Sequence, residues 1–551
     1  MPHRPQHPTR REILKGTAAV GLTAALSRWP KLSAADAPAV KTDSKTAATT
    51  KYNVLFFMSD DMRPELSMYG NPLVAAPNLA ALAKSGVLFQ RGYCQYPLCN
   101  PSRTSMLTGR QCINTGVMDN TIFFGNTHPE LISLPHYFKE NGYVTARTGK
   151  IFHFDDGPAW TVGGLNGATD PTEAAVDFPD VNPRAGIMGQ VAPGATSATT
   201  TAPASPLSEA EIISHNRQVS SSAGKTKQSY SDQIIKLEGD GQGHGDYATG
   251  DRAIEYLRQY KDAKQPFFIG CGFVKPHSPP TAPARFYDMI PLDKIRLPVD
   301  YATRRTVPQG FPPGCLRPNN ADLFIGRDST PETAKQVIQS YYASVAWTDW
   351  NIGRVIAELD RLGLRQRTII CFTADHGYQL GEKGKWSKAG SLWEEGARIP
   401  MFVAAPQAKG NGQICTRPVE NLNMYPTLVE LCGLPMPAGQ EGRSMTKLLD
   451  NPKADWNYPA FTVWKETGNA PTGFGVRVEH WRYAEYDLGG PMLLDMDNDP
   501  HQLKNLAHDP KYADVAAKMA DLIKQYKTRE FPRPALSAPI PAATPTATAS
   551  A

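Results

Sequence analysis

The segment that begins at Cys99 combines a nucleophilic side chain with a helix start and a nearby cation. It reads Cys-Asn-Pro-Ser-Arg-Thr-Ser-Met-Leu-Thr-Gly-Arg. Asn100 is suited to cap a helix, Pro101 to open it and Gly109 to end it. Cys99 would then lie at the positive end of a helix dipole, which stabilises anions, with Arg103 on the same helix face. The pattern indicates nucleophilic chemistry on an anionic group, and a buried structural cysteine beside a capped helix is the alternative.

Further polar side chains follow four predicted strands, at the point where each strand ends. In chain order these groups are Asp60 with Asp61, Lys150 with His153, Lys275 with His277, and Asp375 with His376. In open α/β sheets, ligands bind outside the carboxyl ends of the parallel strands. One such group alone is typical of a solvated turn. Four strands that deliver carboxylates, imidazoles and ammonium groups to one edge predict an active site there.

The Cys99 segment resembles the signature of type I sulfatases, in which the cysteine of Cys-x-Pro-Ser-Arg is oxidised to formylglycine. The resemblance covers most of residues 52–510, apart from 155–245, and includes the motifs Phe372–Gly377, Tyr341–Val345 and Leu494–Pro500. Gly149–His153 and Lys275–His277 are most similar to the iduronate-2-sulfatase branch, since arylsulfatases more often place one residue between the corresponding Lys and His. The resemblance implies an alkaline-phosphatase-like α/β sandwich and hydrolysis of sulfate esters.

The resemblance also implies a metal site with one divalent cation per chain, usually calcium. The implied ligands are Asp60, Asp61, Asp375, His376 and the formylglycine made from Cys99. Carboxylates suit a hard cation that prefers oxygen ligands. Imidazole is an uncommon calcium ligand, and many sulfatases have Asn at the position of His376. Magnesium stays open as the bound ion.

The catalytic roles implied by the resemblance fall on six residues. The hydrate of the Cys99-derived aldehyde supplies a hydroxyl nucleophile, and Arg103 favours its deprotonated form. Lys150 and His153 support this group, with His153 as the base for sulfate release. His277, the general acid, clamps the sulfate together with Lys388. Lys150, His277 and Lys388 are thus the expected substrate-binding residues, although the segment around Lys388 is also typical of a solvated surface.

The implied mechanism has two steps. Attack of one hydroxyl on sulfur expels the alcohol and leaves a sulfated hemiacetal. The second hydroxyl then loses its proton, sulfate departs and the aldehyde is regenerated. An ordinary serine or cysteine is a poor substitute because its sulfated adduct has no such exit.

The elements that must position these residues are visible as short apolar runs separated by helical patterns. The runs predict strands at Tyr52–Met58, Tyr143–Arg147, Phe267–Phe273, Thr368–Thr373 and Met401–Ala404. Helical periodicity predicts helices at Pro77–Ser85, Leu134–Asn141, Ala253–Tyr260 and Pro331–Leu362. Near-continuous apolar strands that alternate with helices predict a large, mainly parallel sheet covered on both faces.

Composition changes along the chain predict further segments. A catalytic domain over 50–448 contains a loop-rich insertion at 155–245, part of which is rich in Ala, Thr, Ser, Pro and Gly. A smaller C-terminal domain at 449–530 is predicted to hold an antiparallel sheet, with strands at Gly475–Val478 and Trp481–Tyr486 and a helix at Ala513–Tyr526. The Pro/Ala/Thr-rich tail, 531–551, is predicted to be disordered.

The first 37 residues are predicted to be an export signal. Arg10 and Arg11 precede the apolar run 16–26, which is too short to span a bilayer, and small residues follow. This pattern resembles a twin-arginine signal, so we expect an exported periplasmic or extracellular bacterial protein that uses the twin-arginine machinery. The eight cysteines show no metal-ligand spacing, and their pairing stays open.

The bulk composition is that of a globular protein without a nucleic-acid-binding stripe. The chain has 551 residues, 41% hydrophobic and 20% charged, with a formal net charge of +5. The sequence has no stripe of Lys and Arg that would indicate nucleic-acid binding, and it has no apolar segment long enough for a stable membrane span. The expected partners are a sulfated carbohydrate, such as a uronate or another polysaccharide unit, and a formylglycine-generating or anaerobic sulfatase-maturing enzyme.

Two alternatives stay open at the level of the sequence. The first is a phosphonate or phosphate ester hydrolase with the same fold and nucleophile. The second is a non-catalytic glycan-binding protein on a sulfatase scaffold. The second is disfavoured because every expected polar position is filled.

Overall fold

The computed structural model of the protein describes residues 51–164, 207–466, 472–529 and 535–544. The predicted export signal at 1–37 lies outside the described residues, as do residues 165–206 of the predicted insertion.

The described residues contain seven strands that lie within three residues of their predicted bounds and six that the sequence patterns do not predict. They are β1 Asn53–Ser59, β2 Val87–Tyr93, β3 Val144–Gly149, β4 Ile235–Leu237, β5 Phe267–Phe273, β6 Thr281–Pro283, β7 Thr368–Ala374, β8 Arg398–Ala404, β9 Ile414–Glu420, β10 Ala460–Trp464, β11 Gly473–Arg477, β12 Trp481–Tyr486 and β13 Gly490–Asp495.

The central sheet has the strand order β3-β5-β1-β7-β8-β2-β9. The pairs β3–β5, β5–β1, β1–β7 and β2–β9 are parallel, whereas β8 runs antiparallel to both of its neighbours. Strands β1, β5 and β7 are buried along their whole length. Burial on both faces explains why their sequences are nearly continuous apolar runs, and the mixed, mainly parallel sheet confirms the predicted fold class.

The described residues also contain α-helices, several of which pack on the central sheet. They are α1 Pro77–Lys84, α2 Cys99–Thr108, α3 Cys112–Thr115, α4 Phe124–Thr127, α5 Leu134–Glu140, α6 Glu209–Ser220, α7 Lys227–Tyr230, α8 Gly245–Tyr260, α9 Ala284–Asp288, α10 Pro331–Arg361, α11 Glu394–Ala397, α12 Met424–Leu431, α13 Thr446–Asp450 and α14 Ala513–Lys527. Helix α8 packs on β3, β5 and α10, while α5 packs on β3 and on α2. In the described part of the chain, no helix combines the length and the apolar composition that crossing a membrane requires.

The described part of the 155–245 insertion has more regular structure than its composition predicts. Helix α6 begins at a capping box, in which the Glu211 amide donates to the Ser208 hydroxyl and the Ser208 amide donates to the Glu211 carboxylate. Asn216 of this helix is buried and donates to the carbonyls of Glu238 and Gln242. Local capping and one buried amide stabilise a helix that lacks a strong apolar pattern.

A second, antiparallel sheet of order β10-β11-β12-β13 follows and packs against α14. The prediction of a disordered tail is wrong for residues 535–544. Ile540 is buried in the hydrophobic cluster of this sheet, and the Trp481 indole N–H donates to the Pro541 carbonyl at 2.8 Å. An apolar side chain and an indole donor that needs an acceptor explain why this segment packs.

Candidate active site

The strand register brings the four predicted polar groups to one edge of the central sheet. Ser59, the last residue of β1, pairs with Phe273 of β5 and with Ala374 of β7, and Gly149 of β3 pairs with Gly272. The residues that follow these strands therefore leave the sheet at nearly the same level. The edge predicted from the sequence is the edge where the side chains meet.

The turn after β1 has an unusual backbone conformation. Asp61 adopts a left-handed φ of 64°, which is uncommon for a residue other than glycine. The Tyr341 hydroxyl donates to the Asp61 carbonyl at 2.6 Å, and the Asp61 amide donates to Asp375 Oδ1 at 3.2 Å. These two bonds hold the Asp61 carboxylate over the end of the sheet.

Helix α2 begins at Cys99 itself, so the prediction that Asn100 caps the helix is wrong. Leu98, in extended conformation, precedes the first turn, and the Asn100 side chain donates to the carbonyls of Asp119 and Ile122 at 2.8 and 2.7 Å. The carboxamide thus ties the helix start to a neighbouring loop. Gly109 ends the helix at a φ of 69°, as predicted.

Cys99 lies at the centre of the cluster. Its Sγ is 3.4 Å from Asp60 Oδ1 and 3.4 Å from His376 Nε2. Burial, and then the charge of Asp60, raise the pKa of the Cys99 thiol well above its ordinary value, and the nearby Lys150 and Lys388 offset this only in part. The unmodified side chain is therefore a neutral thiol and a poor nucleophile.

Four side chains fit a metal ion. Ligand atoms of Asp60, Asp61, Cys99 and His376 all lie within 4.8 Å of one another. Asp61 Oδ1 is buried and accepts no hydrogen bond within the described residues. His376 Nδ1 faces the Gly377 carbonyl at 3.0 Å and must donate to it, which leaves Nε2 as the ligand atom. The donor set, with the Cys99 position included, suits a divalent cation.

Asp375, the fifth predicted ligand, lies beside this group with both oxygens engaged. Its Oδ1 accepts the amides of Asp61 and His376 at 3.2 and 2.9 Å, and its Oδ2 lies 3.0 Å from Arg103 Nε. Burial, and then Asp60, raise the pKa of Asp375 above its ordinary value. The Ser102 hydroxyl donates to the Asp375 carbonyl and accepts from Asn421. These bonds link the serine of the Cys-x-Pro-Ser-Arg signature to the residue that follows β7.

Two buried lysines bracket the aspartates. Lys150 forms an ion pair with Asp60, and Lys388 Nζ lies 3.0 Å from Asp61 Oδ2. Although burial alone would raise it, Lys150 and Arg103 hold the pKa of Asp60 well below its usual value. The weak sequence pattern around Lys388 therefore leads to a buried lysine in the cluster and not to a solvated surface.

The two predicted catalytic histidines occupy different surroundings. His277 Nδ1 faces the Ser278 carbonyl at 2.7 Å and must donate to it, and its Nε2 lies 3.9 Å from Asp61 Oδ2. His153 is buried, with its ring edge-on to Phe154. Lys275 donates to the carbonyls of His277 and Pro279 at 2.9 and 2.8 Å, so it supports the loop that carries His277.

Sequence reasoning missed Asp322, a buried carboxylate that lies 3.5 Å from Lys388 Nζ. It belongs to a loop without apolar periodicity or a motif, so no local signal marks it. All eight cysteines are among the described residues, where each is buried and unpaired.

Known proteins resemble this chain over most of its length. Residues 52–434 match the sulfatase family, and residues 381–529 match the C-terminal region of N-sulphoglucosamine sulphohydrolase. The chain is 30% identical to a sulfatase of Formosa agariphila, covering 84% of each protein. It is also 30% identical to human iduronate 2-sulfatase, covering 85% of this chain and 93% of that one.

Solved structures share the fold. The phosphonate monoester hydrolase of Agrobacterium radiobacter superposes with a TM-score of 0.66 at 22% identity, covering 87% of this chain and 96% of that one. At this identity the likeness concerns the fold alone. The family match over residues 52–434 includes the strand ends of the candidate site and helix α2. The chain belongs to the sulfatase family and is a sulfuric ester hydrolase.

Proposed function

We propose that this protein removes sulfate from a sulfated carbohydrate, using a formylglycine made from Cys99 and a divalent cation, calcium by preference. One observation carries the proposal. Cys99 opens helix α2 with its Sγ 3.4 Å from both Asp60 and His376, inside a cluster flanked by buried lysines. A helix N-terminus and two ammonium groups around one position favour the negatively charged sulfate group of an ester there.

The cation would be held by Asp60, Asp61, His376 and the residue at position 99. Its chemistry would be to withdraw charge from the nucleophile and from the sulfate oxygens. Asp375 contributes differently, since its oxygens accept from two backbone amides and from Arg103. We therefore assign Asp375 to the site as a carboxylate that orients the Asp61 turn and Arg103, in addition to its predicted ligand role.

The formylglycine hydrate would supply one hydroxyl that attacks sulfur and a second whose deprotonation releases sulfate. Arg103 lies between Asp60 and Asp375, so its charge favours the ionised form of both carboxylates, although burial and Asp60 leave the pKa of Asp375 raised. His153, buried near the end of β3, is the proposed base for sulfate release.

Lys150, Lys388 and His277 are the proposed sulfate-binding groups. Each lies against one of the two aspartates that follow β1, so their positive charges surround the place where charge develops on the reacting oxygens. His277 donates through Nδ1 to the Ser278 carbonyl, which directs Nε2 to the substrate side. As the imidazolium, Nε2 would protonate the departing alcohol oxygen.

The carbohydrate class rests on the relatives. One of them is named iduronate 2-sulfatase and aligns with 85% of this chain. We extend to this chain only the class, a sulfate ester on a uronate or another sugar of a polysaccharide. The neighbouring phosphonate monoester hydrolase shares the fold at 22% identity, which does not favour phosphonate chemistry.

Export and maturation complete the proposal. Arg10 and Arg11, before a short apolar run, would direct the chain to the twin-arginine machinery and so to the periplasm or the medium. Because Cys99 is 2% exposed and the whole of α2 is buried, the maturing enzyme would need access to the chain before it folds. Replacing both arginines by lysine should retain the protein in the cytoplasm.

The test uses protein purified from its native host. Peptide mass spectrometry should find the Cys99 peptide lighter by about 18 Da, because CH₂SH has become CHO. The same preparation is assayed on matched aryl sulfate, phosphate diester and phosphonate compounds, and on defined sulfated oligosaccharides. Faster turnover of the phosphorus esters by orders of magnitude, or an intact thiol in active protein, would refute the proposal.

A further inference from the structure

Asp322 joins two lysines at the candidate active site. Its Oδ2 lies 3.5 Å from Nζ of the buried Lys388, and its Oδ1 accepts from Lys227 Nζ at 3.1 Å. The Asp322 side chain is 2% exposed, and that of Lys227 is 53% exposed. One carboxylate thus connects the ammonium beside Asp61 with a lysine at the surface.

The loop that carries Asp322 is held in place from two sides. Lys385 donates to the carbonyls of Arg317 and Asn319 at 3.2 and 2.9 Å, and the Leu323 amide donates to the Trp386 carbonyl at 3.2 Å. On the other side, the Ser231 hydroxyl donates to the Asp322 carbonyl. The carboxylate is therefore placed by backbone contacts that do not depend on Lys388.

Lys388 needs a second carboxylate because its other partner, Asp61, is shared with further groups. Asp61 Oδ2 lies 3.0 Å from Lys388 Nζ, but Asp61 also belongs to the metal-ligating cluster and faces His277 and His376. A buried ammonium without a dedicated counter-ion is costly. Asp322 Oδ2 accepts no hydrogen bond within the described residues, so its charge is directed to Lys388.

We infer that Asp322 is a positioning residue, which shares the Lys388 ammonium with Asp61 and so holds it at the sulfate subsite between the two carboxylates. The inference rests on the proposed function of Lys388 as a sulfate-binding group. Burial alone would raise the pKa of Asp322, but Lys388 and Lys227 keep this pKa below its ordinary value. The Asp322 carboxylate is therefore ionised at neutral pH.

The test measures binding of inorganic sulfate by isothermal titration calorimetry, which does not require turnover, and kcat/KM on an aryl sulfate. Asp322→Asn keeps the side-chain shape but removes the charge. We expect it to raise the sulfate Kd and to lower kcat/KM, each by about 10- to 100-fold. A merely structural aspartate would lower the melting temperature and the active fraction but leave the Kd of the folded protein unchanged.

A double variant tests whether Asp322 acts through Lys388, even if Asp322→Asn alone folds poorly. Lys388→Met removes the buried cation, so adding Asp322→Asn to it leaves no unpaired buried charge. If Asp322 acts through Lys388, the second substitution changes the sulfate Kd by less than about twofold in this background. If Asp322→Asn raises the sulfate Kd as much in the Lys388→Met background as in the wild type, the inference is overturned.

The matched control is Asp300→Asn. Asp300 is a largely buried aspartate paired with Lys383, five residues before Lys388, and it lies outside the proposed catalytic groups. Its substitution should leave the sulfate Kd within about twofold of the wild type. A mature wild-type protein that hydrolyses no sulfate ester would contradict the proposed function. An active wild type whose Asp322→Asn variant binds sulfate normally would contradict this inference alone.

Discussion

Arg103 Nε and Asp375 Oδ2 lie 3.0 Å apart, and both side chains are fully buried. The same guanidinium donates to the carbonyls of Lys150 and Ile151 at 2.7 and 2.9 Å. Arg103 therefore ties the start of α2 to the ends of β7 and β3. Removing one partner of a buried pair leaves an uncompensated charge, so we expect Arg103→Gln to lower the free energy of unfolding by about 3–5 kcal/mol.

Urea unfolding followed by circular dichroism measures this change. Arg361→Gln is the control, because Arg361 is 61% exposed and its partner Glu358 keeps a second ion pair with Arg258. It should lose about 1 kcal/mol or less. If Arg103→Gln unfolds as the control does, the guanidinium is not the tie between these elements.

Cys99→Ala should remove turnover while leaving the fold intact. The methyl group fits where the thiol stood, but no formylglycine can form, so we expect kcat to fall by at least about 10³-fold. The control is Cys432→Ala, a buried cysteine whose Sγ faces the Tyr52 carbonyl just before β1, at the end of the strand opposite Asp60. Sulfate release from an aryl sulfate is the assay, and near-normal release by Cys99→Ala would rule out this nucleophile.

Calcium should stabilise the folded protein through the carboxylates after β1. At a calcium concentration one hundred times the Kd, binding adds about 2.7 kcal/mol to the free energy of unfolding. Asp61→Asn removes one charged ligand and should raise the calcium Kd at least about tenfold. Thermal unfolding of chelator-treated protein is repeated at increasing calcium concentrations. It measures the stabilisation by calcium and the calcium Kd without any assay of activity.

The matched control for calcium is Asp349→Asn. Asp349 is also a buried carboxylate, but it accepts from the Leu79 amide at 2.7 Å and serves the packing of α10 on α1. Its variant should be less stable but should show the calcium shift of the wild type. An equal shift in Asp61→Asn would remove Asp61 from the set of ligands.

The strands that carry the site could be predicted because their sequences are nearly continuous apolar runs. Strand β1, predicted at 52–58, is found at Asn53–Ser59, and β5 was placed at its observed bounds. Strands β2 and β9 were missed. The first contains the exposed Gln90, and the second lies at the sheet edge and contains Pro418, so neither shows the pattern of a strand buried on both faces.

The loops that complete the site could not be predicted in the same way. Asp322 and Lys388 are 66 positions apart, and no periodicity links them. They meet because Lys385 and Trp386 hold the loop that precedes α10 through backbone contacts. Such contacts depend on tertiary packing, whereas the groups at strand ends follow directly from the topology of a parallel sheet.

Glu394 connects the small antiparallel sheet to the central sheet and should make stability depend on pH. Its Oε2 accepts from Arg482 Nε and Nη2 at 3.1 and 2.8 Å, and its Oε1 accepts from the Tyr93 hydroxyl at 2.7 Å. Although burial would raise it, Arg482 and Arg477 lower the pKa of Glu394 from 4.5 to about 2. Its contribution is thus complete above pH 4.5 and is lost as the pH falls through 2.

The variant Glu394→Gln should therefore be least stable, relative to the wild type, near neutral pH. We expect the difference in free energy of unfolding to narrow by roughly 2 kcal/mol between pH 6 and pH 3, because the wild type loses part of the carboxylate contribution over this range. Urea titrations at several pH values measure the difference. Glu485→Gln, which breaks the partly exposed pair with Lys527, is the control and should show no comparable narrowing. A constant difference for Glu394→Gln would mean that its carboxylate is not held ionised by the arginines of the small sheet.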